Sequence, residues 1–283
     1  VGFWAKFLKL DRRWVFLMMG LAVLIPLVTR ISMPTGITPP VQDLYEAVDA
    51  IEPGAKPLML AFDFAPDTEP ELMPMATAIL RHCFSKGTKV IIYGGLYPQG
   101  AGMAQLALEE VTAEYDVASG IDYVFLGYIP GAGAVILSMG EDIKSTFERD
   151  YYGVRLDSLP MLDDVRNYDD IPLMVDISGS SVPILWVLYA GARYGQEVGV
   201  GTTAVSAAQY YPFLQTGQFV GMLGGLKGAA EYEKLNEDSG VRQERKRASI
   251  GMGSQSIAHI LMIALIILGN IGYFITQRRG RTG

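Results

Sequence analysis

The stretch from Ile257 to Ile275, IAHILMIALIILGNIGYFI, constrains this chain more than any other because it carries no charged residue. As a helix, about 19 residues rise roughly 28 Å, close to the hydrocarbon thickness of a bilayer. Arg242, Arg245, Lys246 and Arg247 bracket it on one side, Arg278, Arg279 and Arg281 on the other. A buried core helix of this length would show a polar face and lack basic brackets. The sequence therefore predicts a transmembrane helix over 256–277 and a basic tail over 278–283.

The polar groups of this segment fall in one sector. At about 100° per residue, Ser256, His259, Asn270, Tyr273 and Gln277 align. Lipid satisfies neither amide nor imidazole, so the stripe suits a partner helix; Asn270 and Tyr273 equally suit the headgroup boundary.

Near the N-terminus, VGFWAKFLKLDRR puts apolar residues beside Lys6, Lys9, Arg12 and Arg13, the pattern of an interfacial amphipathic segment over 1–13. The apolar run from Trp14 extends to Ile31 if Arg30 snorkels outward. It reads as an uncleaved signal anchor over 14–31 rather than a cleaved signal peptide, since no small-x-small site follows Val28. The basic excess before this first span predicts that both termini are cytoplasmic and the central domain extracytoplasmic. The bilayer is thus the first expected partner.

Residues 32–55 are rich in Pro and Gly around VQDLYEAVDAI, and read as a spacer. A domain is expected over 56–236, then a charged juxtamembrane linker over 237–255. Within the domain, PLMLAFDF (57–64) is a continuous apolar run, typical of a strand buried on both faces. TKVIIYGG, DYVFLGY, IPLMVDIS and EVGVGT follow, separated by helical patterns. Alternation of this kind implies parallel strands joined by crossover helices. The expected fold is a doubly wound α/β sandwich, flavodoxin-like or Rossmann-like, with a mostly parallel five-stranded sheet and an apolar helix at each end. The polar interval 141–170 reads as an excursion, a lid or docking loop.

From Tyr210 to Ala230, small residues recur every fourth position at Gly217, Gly221, Gly225 and Ala229. Glycine in a helix costs about 1 kcal/mol relative to Ala, so a close-packing helix face is the expected compensation. Since Gln215, Gln218 and Lys227 disfavour insertion into the membrane, that face would meet the domain's own sheet or another subunit. With His259, Asn270 and Tyr273 it forms the expected interface set, and predicts homo-oligomers or association with other membrane subunits.

In an open α/β sheet, ligands bind beyond the carboxyl ends of the strands. Those ends supply Asp63, Tyr128, Asp176, Ser178, Gly179, Ser180 and Thr202 as candidate ligand contacts for a small polar or anionic molecule. Tyr93 and Tyr97 suit a sugar ring. Asp63 and Asp176 also have the character of an acid and base or a cation pair, and equally of loop caps.

Several classes are disfavoured. A net charge of −7 without a basic stripe argues against nucleic acid. Cys83 is the single cysteine and His82 lies in a helical pattern beside it, so neither a disulfide, a zinc site nor a catalytic Cys-His or Ser-His-Asp set is expected. Gly131 and Gly133 lack the third glycine of a dinucleotide loop, and no P-loop occurs, so no cofactor or metal is expected. The leading expectation is a non-enzymatic membrane scaffold or complex subunit; the alternative is a membrane-tethered ligand-binding domain.

Overall fold

The computed structural model describes residues 10–30, 36–131 and 133–281, the side chains of 278–281 excepted. The amphipathic segment expected over 1–13 lies outside the described residues, apart from its last four. The chain divides into two compact units, Val1–Pro34 with Ser249–Gly283, and Thr35–Ala248.

In the first unit, helix α1 (Arg12–Thr29) begins where Asp11 Oδ1 accepts the Arg13 N–H at 3.0 Å. It ends at Arg30, which adopts a left-handed φ of 54°. The last helix of the chain, α11, runs from Arg247 to Arg281. Both α1 and α11 are long and apolar enough to cross a membrane. Met18, Leu21 and Ile25 line an apolar pocket of about 420 Å³ with Ile257 and Leu261.

The second unit is built on one parallel sheet. In chain order come α2 (Pro39–Asp49), β1 (Leu58–Asp63), α3 (Glu69–Lys86), β2 (Val90–Tyr93), α4 (Pro98–Thr112), β3 (Tyr123–Gly127), α5 (Gly133–Glu141) and α6 (Ile143–Thr146). Three 3₁₀ turns lead to β4 (Met174–Ser178), α7 (Val182–Trp186), a π turn (Val187–Gly191) and α8 (Ala192–Tyr194). Then follow β5 (Val198–Thr202), α9 (Ala204–Gln215), β6 (Met222–Gly224) and α10 (Gly225–Asp238). The strands lie in the order β3-β2-β1-β4-β5-β6, all parallel. The order reverses between β1 and β4.

Among the described residues the sheet has six strands where the sequence predicts five. The sixth comes from the glycine-rich stretch, which is not one helix. Gly217 lies in the turn after α9, Gly221 leads into β6, Gly225 opens α10, and Ala229 is buried within α10. The four residues therefore share no helix face. Gly221 answers a different demand: a Cβ there would stand 2.4 Å from the Leu44 backbone nitrogen of α2. The glycine lets α2 lie against the edge of the sheet.

Two other stretches join the core. The expected spacer forms α2, which buries Val41, Leu44, Tyr45 and Val48. The 141–170 interval buries Phe147, Leu156, Leu162 and Tyr168, and Tyr151 N–H donates to Phe125 O at 2.7 Å. That segment covers the outer strand β3, which would otherwise present unpaired backbone groups.

Strand residues alternate between the two faces. Val175, Ile177, Gly199 and Gly201 face Leu44 of α2 and Met75 of α3. Met59, Ala61, Tyr93, Met174 and Val200 face the other way, into a core shared with Met139 of α5 and Trp186 of α7. The candidate site residues lie on this second face.

Candidate functional site

Strand register assembles the site. Ala61 pairs with Tyr93 on one side and Asp176 on the other, and Asp63 pairs with Ser178, which pairs with Thr202. Residues opposite each other in a parallel sheet point the same way, as do residues two apart along a strand. Tyr93, Asp63, Asp176, Ser178 and Thr202 thus form a polar belt across four strands, at their carboxyl ends and at the point where strand order reverses.

The belt is sealed. Asp63 is 1% exposed, Asp176 and Thr202 0%. Trp186 closes over it, its ring 6.2 Å from that of Tyr93 at 78°. Asp63 Oδ1 accepts the Leu96 N–H at 2.5 Å. Gly95 makes that contact possible: its φ is 74°, and a Cβ there would stand 2.1 Å from Phe62 O. Ser178 Oγ donates to Asp63 O at 3.3 Å, and Tyr210 OH donates to Ser180 O at 2.5 Å, which fixes the turn after β4.

Most of the belt's polar atoms have no hydrogen bond of normal geometry. Asp63 Oδ2, both Asp176 oxygens, Tyr93 OH, Trp186 Nε1 and Thr202 Oγ1 are buried without one. Asp176 and Trp186 lie beside Asp63 closely enough to favour its charge, yet burial dominates and holds the Asp63 carboxyl at about 6. Burial, reinforced by the Asp63 charge, raises Asp176 well above the usual carboxylate range. Burial also pushes Tyr210 up to about 12, with the Asp176 charge adding to it. Two carboxyls in one dry site resist ionising together, so the pair holds its protons to a higher pH than free carboxyls do.

Above Asp63 opens a crevice of about 260 Å³. Asp63 and Phe64 line it from the end of β1, and Gly179 and Ser180 from the turn after β4. The β1–α3 loop supplies Asp67 and Thr68, and the start of α4 supplies Tyr97 and Gln99. Thr68 and Tyr97 cap α3 and α4 without a side-chain hydrogen bond to the helix, so two helix N-termini border the space.

Of the residues predicted to bind ligand, the structure brings Asp63, Gly179 and Ser180 to the crevice. Asp176, Ser178 and Thr202 lie buried in the belt, and Tyr128 is half-buried beyond β3 and does not line the crevice. Sequence reading missed Asp67, Thr68 and Gln99 as crevice residues, although each follows a strand and precedes or opens a helix. It also missed Trp186 and Tyr210, for which local sequence holds no signal.

The expected interface residues of α11 are exposed. Asn270 Nδ2 donates to Ile266 O of its own helix at 2.9 Å, and Tyr273 OH accepts from Gln277 at 3.2 Å. His259 is exposed as well.

No protein-family model, no curated protein and no solved structure matches the chain.

Proposed function

We propose that the α/β domain is a binding module for a small polar molecule, taken up in the crevice at the ends of β1 and β4, on a chain anchored in a membrane by α1 and α11. One observation carries this reading: Asp63, a buried residue that lines the crevice, has a carboxylate oxygen without a hydrogen bond of normal geometry. Leaving a buried polar group unpaired costs about 1–3 kcal/mol, and native proteins keep few such groups. The place supports the same reading, since the reversal of strand order is where open α/β sheets bind ligands.

The test is thermal melting of the full-length protein in mild detergent against a panel of small polar compounds. A binder raises the melting temperature with concentration, because it stabilises only the folded state. Gln99→Trp, at the exposed rim, fills the crevice and is expected to abolish the shift. A panel with no shift that Gln99→Trp removes overturns the reading.

Assembly with copies of itself or with other membrane subunits is a second reading. Its support is the exposed polar set His259, Asn270 and Tyr273 on an apolar helix. Light scattering on the detergent-solubilised chain tests self-association: a defined oligomer that Asn270→Leu dissociates supports it, and a monomer removes it.

A further inference from the structure

Charge around the crevice narrows the ligand. The ionisable carboxyls lining it are Asp63 and Asp67, and no Lys, Arg or His lines it among the described residues. Asp67 is exposed and makes no hydrogen bond or ion pair among the described residues, so its charge is free to meet a ligand. Tyr97, 43% exposed, offers an aromatic wall.

Opposite to these stand the two helix N-termini, each equivalent to roughly half a positive charge. Glu69 and Glu71 in the first turn of α3 offset one of them. Only the start of α4 is left uncompensated, against two carboxyls at the crevice and a third, Asp176, behind them. An anion would meet net repulsion here. A hydroxyl would bring a single donor. An ammonium group brings three donors and a full positive charge, and aromatic faces attract it as well.

Resting on the binding reading above, we propose that the crevice recognises a primary ammonium group, held by Asp63 and Asp67 with Tyr97 as its aromatic wall. Asp63 supplies one carboxyl from the end of β1 and Asp67 the other from the loop that follows. The ionised form of the Asp63–Asp176 pair gains a counter-charge when the ligand arrives.

The experiment compares three probes of similar length on the full-length chain in detergent at constant ionic strength: 1,4-diaminobutane, 1,4-butanediol and succinate. Melting temperature is followed over a concentration series for wild type, Asp63→Asn, Asp67→Asn and Gln99→Trp. The expected result is a saturable rise with the diamine alone, an apparent Kd at least tenfold weaker in each Asn variant, and no rise in Gln99→Trp. Asp67 is exposed, so its variant reports on binding without endangering the fold. If the diol or succinate raises the melting temperature and Gln99→Trp abolishes that rise, the ammonium assignment falls while the crevice remains a binding site. A diamine response unchanged in all three variants overturns the assignment and places diamine binding outside the crevice. No response to any probe overturns the ammonium assignment.

Discussion

Two of the places where the α/β domain buries ionisable groups are treated in opposite ways. Arg81 of α3 is 1% exposed, yet its donors are engaged. Nε reaches Glu114 Oε2 at 2.7 Å, Nη2 reaches Glu114 Oε1 at 2.6 Å and Glu110 Oε1 at 2.9 Å, and Nη1 reaches Arg245 O at 3.4 Å. The belt at the strand ends buries two carboxyls, a phenol, an indole and two hydroxyls, and leaves six of their polar atoms without a hydrogen bond of normal geometry. A satisfied network rigidifies; an unsatisfied one is retained at a cost only where something else makes use of it. Around Arg81 the polar groups hold the stretch from Arg242 to Arg247, since Tyr115 OH also donates to Arg242 O at 2.6 Å and Arg247 pairs with Glu110 at 2.7 Å. The belt makes few such bonds, chiefly from the Leu96 N–H to Asp63 Oδ1 and from Ser178 Oγ to Asp63 O.

The sharpest way to break this contrast is to damage the satisfied cluster. Arg81→Met leaves Glu114, 7% exposed, without its bidentate partner. Removing one member of a buried ion pair costs about 3–5 kcal/mol. Chemical unfolding of the full-length chain in detergent, followed by tryptophan fluorescence, is expected to show a loss of that size. A loss below about 1 kcal/mol would mean that the Arg81 cluster matters no more than a surface pair.

The belt predicts a pH dependence of the opposite sign to ordinary acid denaturation. In the unfolded chain Asp63 ionises near its ordinary value of 3.8; burial holds it at about 6 in the folded chain. The folded state thus binds the extra proton, and stability present below pH 4 is lost as the pH rises through 6. Asp176, raised for the same reason and further by the Asp63 charge, extends the decline upward. Asp49, lowered despite burial by its contacts with Lys86 and His82, and Asp142, lowered by the Ser145 N–H, act oppositely but below pH 4. His82, lowered by burial, gains stability as the pH rises toward 6.5 and therefore opposes the belt. The double variant Asp63→Asn/Asp176→Asn keeps His82, so its difference from wild type isolates the carboxyls. Wild type is expected to lose at least about 1 kcal/mol relative to the double variant between pH 5 and pH 8, the part that Asp63 alone supplies. A constant difference across that range would show that the two carboxyls ionise normally.

Much of this contrast was hidden in the sequence, and the reasons are physical. PLMLAFDF announces a strand buried on both faces because it has no polar residue before Asp63, and Leu58–Asp63 is that strand. The alternation of strands and helices gave the parallel sheet for the same reason. Strand β6 escaped because it is three residues long and set among glycines whose four-residue spacing imitates a helix. Asp63 and Asp176 were legible singly, as polar residues near strand ends. Their meeting was not, since it depends on the β1–β4 register between segments more than 100 residues apart. Trp186, in VPILWVLY, reads as one more apolar helix residue until the fold sets it on Tyr93.

The finest test sets one threonine against another. Thr38 Oγ1 donates to Glu231 Oε2 at 2.6 Å, and Thr38 N–H donates to the same oxygen at 2.8 Å. Glu231 is 0% exposed and also pairs with Lys227. Thr38→Val keeps the backbone bond but deprives a buried carboxylate of one donor, at an expected cost of about 1–2 kcal/mol. Thr202 is equally well placed for a bond and makes none: its hydroxyl is buried in the belt without a partner. Thr202→Val removes that hydroxyl at nearly constant shape, so the ligand-free protein is expected to change by less than about 0.5 kcal/mol, or to gain slightly. The same unfolding assay reads both. If Thr202→Val costs as much as Thr38→Val, the hydroxyl has a partner such as buried water, and the belt is a satisfied network like that of Arg81. If the two variants separate as expected, the unpaired hydroxyl of the belt contributes nothing to holding the fold together, as the proposed binding role requires.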